Sequence, residues 1–211
     1  MIEFRCSSCQ RWFSVKDDLA GRRAKCKSCG ADVVVPPASE PRAISGWQRP
    51  RGAPPPPPRI RRLMADETQM RKSFASSEII RIEPQVGDPP DTYKVQYRVA
   101  SLARDTRGKP APRMEHAVEI QLTHDYPRLS PKCRMLTPIF HPNIDGATIC
   151  VGDHWTAGER LVDLVVRIGE MLAYQAYNIQ SPLDGEAAMW ADLNRQKLPT
   201  DSRNLRPAEM D

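Results

Sequence analysis

The sequence predicts an α+β fold in which an antiparallel sheet is followed by helices. Apolar and polar residues alternate along Tyr93 to Val99 and along His116 to Leu122, which is the pattern of half-buried strands. Turn-forming residues precede each of these runs, at 87–90 and at 106–110, so we expect strands that pair in chain order. Further along, apolar residues repeat at helical spacing: Leu161, Leu164, Val165, Ile168 and Leu172.

The remaining elements follow from shorter signals. The basic segment from Ile60 to Phe74 carries apolar residues at mostly helical spacing, so we expect an N-terminal helix there. Asp184 favours the start of a last helix, from Gly185 to about Arg195. Two more β-like runs bring the meander to four strands, Glu78 to Ile82 and Lys132 to Leu136. A long loop over 137–155, with hardly any periodicity, separates the sheet from the later helices.

Composition divides the chain into three segments, which we expect to be residues 1–35, 36–59 and 60–211. The first holds four of the six cysteines and ends in a valine run that predicts a short strand. The second holds nine prolines, so its backbone can form neither a helix nor a sheet ladder. We expect a semi-rigid spacer there, acting as a plain tether, with a docking site for a proline-reading groove as the alternative.

Hydropathy and charge bound the class of protein. The longest unbroken apolar stretches are far shorter than the roughly 18 residues needed to span a bilayer, and charges interrupt the N-terminus where a signal peptide would be apolar. We therefore expect a cytoplasmic protein without a membrane span. Residues 1–60 hold 11 Lys/Arg against 5 Asp/Glu, and residues 61–211 hold 20 against 21, so the basicity is confined to the N-terminus.

Two cysteine pairs in the first segment have the spacing of a zinc site. Cys6-x-x-Cys9 and Cys26-x-x-Cys29 are separated by 16 residues, and each pair can aim two thiolates at one tetrahedral centre. Four thiolates leave no open coordination position, so we expect a structural and not a catalytic Zn²⁺. A segment of about 35 residues buries too little surface to fold unaided, and the metal would supply that stability. The segment resembles the short prokaryotic zinc ribbons.

Cys150 stands alone on the loop at 137–155, where reactive groups often lie, and is a candidate nucleophile. Asn143 precedes it, and a carboxamide N–H can donate to the oxyanion that develops during acyl transfer to sulfur. A hydrolase built on this cysteine would also need a histidine base within reach. The candidates are His116, His124, His141 and His154.

The motif around Cys150 resembles the active-site signature of the ubiquitin-conjugating enzymes. That signature is His141-Pro142-Asn143, then Ile144, Gly146 and Ile149-Cys150. The resemblance covers residues 60 to about 195, with matching segments at 125–127, 130–132 and 137–140 before the loop and at Trp155 and 178–183 after it. It implies that family's fold: an N-terminal helix, a four-stranded antiparallel meander, the active-site loop and C-terminal helices.

The resemblance also implies roles for single residues. Cys150 would carry the C-terminal glycine of a ubiquitin-like protein as a thioester, received from an activating enzyme, and pass it to a lysine of a target protein. Asn143 would stabilise the oxyanion or order the loop, and His141 would support the loop structurally. Ser181 occupies the gate position, where it would orient the incoming lysine by hydrogen bonding. The basic helix at 61–74 would face the activating enzyme and ligase.

Two departures from the family pattern refine this expectation. The spacing from Asn143 to Cys150 is one residue shorter than is common in the family, and that from Cys150 to Trp155 is about three shorter. The shortened loop, the zinc ribbon and the proline spacer are together typical of prokaryotic members. We therefore expect a bacterial conjugation pathway, with antiphage defence as a candidate role, and no dependence on a standard eukaryotic ligase.

Three alternatives remain open at the sequence level. The chain could be a conjugating-enzyme-like adaptor without catalysis. It could instead be a zinc-ribbon module that binds protein or nucleic acid. The net charge of residues 1–60 is too small for a strong nucleic-acid hypothesis. That hypothesis rests on Arg11, Trp12, Arg22, Arg23, Lys25 and Lys27. A cysteine hydrolase would pair Cys150 with His154 or His116. Asp153 and His154 are either solvated loop residues or an acid/base pair that tunes the shortened site.

Overall fold

The computed structural model describes residues 2–6, 8, 12–35, 55–151 and 155–207. The chain divides into two units, Met1–Pro54 and Pro55–Asp211, which are treated separately below. Most of the predicted proline spacer, residues 36–54, lies outside the described residues, as do Cys9, Arg11, Asp153 and His154. None of the helices in the described ranges is both long and apolar enough to cross a membrane.

The N-terminal unit consists of two small antiparallel hairpins. Strand β1 (Ile2–Arg5) pairs with β2 (Trp12–Val15), and β3 (Arg23–Lys25) pairs with β4 (Asp32–Val34). Among the side chains that the structure describes in this unit, the buried apolar ones are Cys6, Cys26, Val33 and Val35, and partly buried Phe13 packs against the first three. A unit of this size buries little surface, so a further source of stability is expected.

The second unit contains one antiparallel sheet and three α-helices, which confirms the predicted α+β class. Helix α1 spans Pro58–Phe74, and the sheet runs in the order β5-β6-β7-β8-β10-β9. Helices α2 and α3 follow the sheet. The bounds of these elements are β5 Ile80–Gly87, β6 Pro90–Arg104, β7 Pro110–Gln121, β8 Lys132–Met135, β9 Ile144–Asp145, β10 Thr148–Ile149, α2 Leu161–Leu172 and α3 Gly185–Leu193.

The alternating pattern of the central strands sets their register. Tyr93 lies opposite Ile120 and Val95 opposite Val118, and all four side chains are buried on the face that carries the core. Helix α2 packs on this face through its apolar side, on which eight of its twelve residues are buried. The sheet and α2 together therefore form the core on which the loop at 137–155 is built.

The structure corrects two details of the sequence analysis. The expected loop contains a hairpin, β9 and β10, so the sheet has six strands and not four. The two-residue turn starts at Gly146, whose φ of 54° is a conformation that glycine adopts easily. The first helix begins at Pro58, inside the expected linker, because proline is tolerated in the first helical turn, where its missing N–H would have no partner anyway.

A polar network ties α1 to the segments that follow the sheet. The Arg62 guanidinium donates to the buried Asp66 carboxylate at 2.8 Å and to the carbonyls of Ala157 and Glu159. The Tyr126 hydroxyl donates to the same carboxylate, and Arg62 lies over its ring at 5.3 Å. The Arg62 guanidinium is thus occupied by contacts within the second unit and does not belong to an exposed basic face of α1.

The segment after α3 is extended and crosses the sheet at a bulge in β6. There the N–H of Ala100 donates to the buried Asp201 carboxylate at 3.2 Å, and Arg203 pairs with the same group at 2.6 Å. The hydrogen bonds from Arg203 lower the pKa of Asp201 to about 2. The N–H of Asp201 donates to the Ala173 carbonyl at 3.0 Å, so this segment also fixes the end of α2.

We predict that the buried stripe of α2 dominates the stability of the second unit. Leu164 is 0% exposed, so Leu164→Ala should lower the free energy of unfolding by about 2–5 kcal/mol through lost burial and a residual cavity. Leu193→Ala removes the same atoms from a side chain that is 76% exposed in α3, and should change stability by less than about 0.5 kcal/mol. Urea unfolding of both variants measures the difference, and equal effects would show that α2 does not carry the core.

Candidate active site

Residues 141–143, which we call the HPN tripeptide, connect the loops around Cys150. The carbonyl of Asn143 accepts the N–H of Cys150 at 3.2 Å. The carbonyl of Pro142 accepts the N–H groups of Leu183 and Asp184 at 2.8 and 3.0 Å. The tripeptide therefore fixes both the backbone at the candidate nucleophile and the loop that leads into α3.

The Asn143 carboxamide adds a reciprocal pair of bonds to this arrangement. Its Nδ2 donates to the Asn178 carbonyl at 2.8 Å, and its Oδ1 accepts the Asn178 N–H at 2.7 Å. Asn143 is 7% exposed, so its own carboxamide is largely removed from water and depends on these two bonds. An amide nitrogen carries two hydrogens, and Asn178 takes one of them. The geometry thus orders the loop and leaves one N–H for a further acceptor.

Cys150 lies just past the end of β10 and is partly exposed, between the buried side chains of Ile149 and Val151. The two buried neighbours anchor the chain while the intervening residue reaches the surface. Within the described ranges, no hydrogen bond joins the Cys150 thiol to a histidine. Cys133, the other cysteine of this unit, is buried in β8, and burial raises the pKa of its thiol to about 12. Only Cys150 is therefore placed to react.

His141 is a structural residue in this arrangement. Its Nδ1 accepts the Asn143 N–H at 3.1 Å, and its side chain is completely buried. Burial lowers the pKa of His141 to about 3, and the nearby Met171 carbonyl opposes this only in part. The ring therefore stays neutral at physiological pH with its proton on Nε2, and it cannot serve as a proton-accepting base at neutral pH.

Ser181 is exposed on the loop from 178 to 184, and this loop is attached to the HPN tripeptide at both ends. Asn178 is bonded to the Asn143 side chain, and Leu183 and Asp184 are bonded to the Pro142 carbonyl. Asp184 also caps α3, because its Oδ1 accepts the Ala187 N–H at 2.9 Å. The fold thus holds Ser181 on the loop that borders the tripeptide.

Sequence reasoning missed two residues of this arrangement. Asn178 belongs to the segment 178–183 that carries the family resemblance, but its backbone role depends on a side chain 35 positions earlier. Tyr174 lies at the end of α2, where its hydroxyl donates to the Phe140 carbonyl at 2.8 Å. No local pattern distinguishes this tyrosine from an ordinary core residue.

Neither of the other two histidines that the structure describes, His116 and His124, forms a dyad with Cys150. His116 is 2% exposed within β7, its Nε2 donates to the Arg113 carbonyl at 3.1 Å, and burial lowers its pKa. His124 is exposed beside Asp125, and His154 lies outside the described residues. The geometry of the described residues therefore gives no support to a cysteine hydrolase.

Three cysteines of the N-terminal unit converge on one point. The sulfurs of Cys6, Cys26 and Cys29 all lie within 4.8 Å of one another, and those of Cys6 and Cys29 are 3.8 Å apart. Zinc–sulfur bonds of about 2.3 Å in a tetrahedron place sulfurs about 3.8 Å apart, so the spacing fits zinc. The N–H of Ser28 donates to the Cys26 sulfur at 3.4 Å. These three residues could hold a metal ion, and Cys9, the fourth cysteine predicted from the sequence, lies outside the described residues.

The basic residues of the N-terminal unit surround this cluster in sequence. The side chains of Arg22, Arg23, Lys25 and Lys27 are all exposed, whereas Arg11 and the side chain of Trp12 lie outside what the structure describes. These charges are solvated, and within the described residues they are accompanied by the exposed carboxylates of Asp18 and Asp32. This arrangement alone does not identify a nucleic-acid surface.

Comparison with known proteins agrees with this geometry. Residues 107–204 match the family model described as ubiquitin-conjugating enzyme. The chain is similar to the probable ubiquitin-conjugating enzyme E2 L460 of Acanthamoeba polyphaga mimivirus, with 34% identity over 34% of this chain and 47% of that protein. It is also similar to ubiquitin-conjugating enzyme E2 N of Drosophila melanogaster, with 35% identity over 35% of this chain and 50% of that protein. The chain thus spans about half the length of these curated relatives.

A solved structure supports the fold independently. It is titled "Novel Ubiquitin-Conjugating Enzyme" and superposes with a TM-score of 0.50 at 18% identity, covering 64% of this chain and 86% of that one. At this identity the likeness shows the fold alone. The family match over residues 107–204 includes the HPN tripeptide, Cys150, Ser181, α2 and α3. Residues 107–204 are therefore similar to the ubiquitin-conjugating enzyme family over a segment that includes the candidate active site.

Proposed function

We propose that this protein is a conjugating enzyme for a ubiquitin-like protein. It would accept the modifier from an activating enzyme as a thioester on Cys150 and transfer it to a lysine amine of a target protein. The observation that supports this most is the attachment of Cys150 and the Ser181 loop to one HPN tripeptide. The backbone of the partly exposed Cys150 is bonded to the residue whose carboxamide is held by Asn178, and acyl transfer to and from sulfur requires such a thiol and such a donor.

The first step would be an exchange of thioesters. The Cys150 thiolate attacks the carbonyl carbon at the modifier's C-terminus, a new carbon–sulfur bond forms, and the thiolate of the activating enzyme leaves. The negative charge passes through the carbonyl oxygen, where the second N–H of Asn143 can donate to it. Because one thioester replaces another, the step needs no additional energy source.

The second step would be aminolysis of that thioester. The lysine nitrogen attacks the same carbonyl carbon, an amide bond forms, and Cys150 leaves as a thiolate. Ser181 would accept or donate a hydrogen bond to orient the amine, since its hydroxyl is too weak a base to remove a proton. His141 is neutral, buried and already bonded to Asn143, so the proton of the amine would pass to solvent.

The pathway that we propose is bacterial, with antiphage defence as a candidate role. This rests on the combination of an N-terminal cysteine cluster with a shortened loop after Cys150. Arg62 bonds the carbonyls of Ala157 and Glu159, so α1 is attached to the segment that follows that loop. The proposed partners are an activating enzyme, a ubiquitin-like protein and a target protein, in a cytoplasm reducing enough to keep the thiols free of disulfides.

We also propose that Cys6, Cys9, Cys26 and Cys29 hold one structural zinc ion. The metal would supply the folding free energy that the small buried core of the N-terminal unit cannot provide. The acyl-transfer chemistry belongs to the second unit and requires no metal. The zinc-bearing unit would then serve as a docking module, for a protein partner in the first instance.

Loading of Cys150 tests the conjugating activity directly. With the cognate activating enzyme, modifier and ATP, the wild-type chain should form an adduct that a reducing agent removes on a gel. Cys150→Ser should give either no adduct or one that resists the reducing agent, because an oxygen ester replaces the thioester. Cys133→Val is the matched control and should load like wild type, since that thiol is buried.

Absence of any adduct with a confirmed partner pair would contradict the proposal and favour a non-catalytic adaptor. Loading that persists in Cys150→Ala, or that is lost in Cys133→Val at unchanged stability, would also contradict it. Each variant should be checked for folding by circular dichroism before the loading assay.

Metal analysis tests the zinc site. The purified full-length chain should contain one zinc ion per molecule, and Cys26→Ser should lose most of it because the sulfur is buried among the other ligands. Cys133→Ser should retain the metal. Inductively coupled plasma mass spectrometry measures the zinc-to-protein ratio. A wild-type chain that contains no zinc after purification in the absence of chelators would contradict this proposal.

A further inference from the structure

Tyr174 adopts a backbone conformation that its residue type disfavours. It lies two residues past α2, and its φ of 53° is the one positive value found at a non-glycine position in the described ranges. A side chain with a Cβ crowds the backbone in this left-handed region, and helices that end in it usually place glycine there. Such strain persists where the surrounding structure makes use of it.

The end of the helix does not itself require a tyrosine. The N–H of Gln175 donates to the Glu170 carbonyl at 2.9 Å, and the N–H of Tyr174 donates to the Met171 carbonyl at 3.0 Å. These backbone bonds close the last turn, and glycine would make both of them with less strain. The reason for a tyrosine at this position must therefore lie in its side chain.

That side chain holds the segment leading into the HPN tripeptide. The Tyr174 hydroxyl donates to the Phe140 carbonyl at 2.8 Å, and its ring centroid lies 4.7 Å from that of His141. Burial raises the pKa of Tyr174, so the hydroxyl remains a donor at physiological pH. The N–H of Phe140 donates to the Leu102 carbonyl in β6 at 2.8 Å. Phe140 is thus fixed between the sheet and the end of α2.

His141 depends on this packing for its orientation. Its Nδ1 accepts the Asn143 N–H. Its Nε2 makes no well-aligned hydrogen bond within the described residues, although the Met171 carbonyl lies close enough to oppose the lowering of the ring's pKa. The Tyr174 ring packs against the imidazole and restricts its tilt. A change in the tilt of His141 would displace the Asn143 N–H, and with it the carboxamide that holds Asn178.

We propose that Tyr174 is a positioning residue for acyl transfer at Cys150. Its hydroxyl and ring fix Phe140 and His141, so that Asn143 keeps both its carboxamide bonds to Asn178 and its backbone bond to Cys150. Tyr174 touches neither the modifier nor the amine and acts through His141 and Asn143. This inference rests on the proposed function and deepens it, because it identifies what holds the tripeptide in place.

Chemical loading of Cys150 allows this proposal to be tested without the activating enzyme or the modifier. A peptide ending in Gly-Gly, supplied as its mercaptoethanesulfonate thioester, transfers its acyl group to Cys150 while mercaptoethanesulfonate leaves as a thiolate. Free lysine then attacks the new thioester, an amide forms, and the Cys150 thiol is regenerated. The rate of this second step is measured in single turnover on full-length wild type, Tyr174→Phe, Tyr174→Gly and a control.

Tyr97→Phe is the matched control. The Tyr97 hydroxyl is also buried and donates to a carbonyl, that of Val165 at 2.9 Å, in the middle of α2. It therefore removes the same kind of hydrogen bond without touching the HPN tripeptide. Discharge is compared at a temperature where circular dichroism shows every variant fully folded, so that a loss of stability alone leaves the rate unchanged.

The expected result is a graded loss of rate at position 174. Tyr174→Phe should slow the maximal discharge roughly fivefold to tenfold, the effect of one lost hydrogen bond. Tyr174→Gly should slow it on the order of 100-fold, the effect of a displaced catalytic group. The lysine concentration for half-maximal rate should stay the same, and Tyr97→Phe should stay within about twofold of wild type, because its lost bond lies away from the tripeptide. The NMR signals of the Asn143 side-chain amide should shift in both Tyr174 variants and not in Tyr97→Phe.

Wild-type rates and unshifted Asn143 signals in both Tyr174 variants would overturn the inference, as would an equal loss in Tyr97→Phe. If enzymatic loading fails while peptide discharge is normal, the result counts against the proposed function. The discharge rates of the Tyr174 variants still test the role of Tyr174 in that case. If wild type discharges no faster than a free cysteine thioester, the proposed function fails. The Asn143 signals then decide whether Tyr174 positions the tripeptide.

Discussion

The candidate active site depends on the hydrogen bonds of one buried residue, Asn143. Its side chain takes both the N–H and the carbonyl of Asn178, and its own carbonyl takes the N–H of Cys150. Each bond contributes only about 1 kcal/mol, but leaving the buried Asn143 carboxamide without partners would cost about 1–3 kcal/mol. The loop that carries the sulfur and the loop that carries Ser181 are therefore coupled through Asn143.

Charge plays a small part in this site, and that fits the chemistry proposed for it. His141 is held neutral by burial, and none of the hydrogen bonds of the HPN tripeptide involves a charged group. A thioester already has a good leaving group, so acyl transfer needs orientation and an oxyanion donor more than it needs a strong base. The charged groups lie further away, where the Arg62 and Asp66 pair ties α1 to the chain after the shortened loop. The ion pair thus stabilises the scaffold, while the candidate active site is held by hydrogen bonds between neutral groups and by packing.

Sequence patterns predicted the scaffold because its buried apolar residues repeat at regular spacing along the chain. The alternation in β6 and β7 and the apolar stripe of α2 each reflect burial on one face, and the structure confirms the α+β fold built from them. The β9–β10 hairpin was missed because strands of two residues are too short to show a period. The resemblance identified Asn143, Ser181 and Cys150 as candidates, and their roles remain proposals. The contacts of Tyr174 and Asn178 join residues about 35 positions apart and leave no local signal.

Hydrogen exchange in Asn143→Ala tests whether Asn143 couples the sulfur-bearing loop to the loop of Ser181. We expect the backbone amides of Asn178, Cys150 and Leu183 all to exchange at least about tenfold faster than in wild type, while the amides of β6 and β7 are unchanged. Only the Asn178 amide loses its acceptor outright in this variant. Faster exchange at Asn178 with unchanged exchange at Cys150 and Leu183 would show that the two loops are ordered independently of each other.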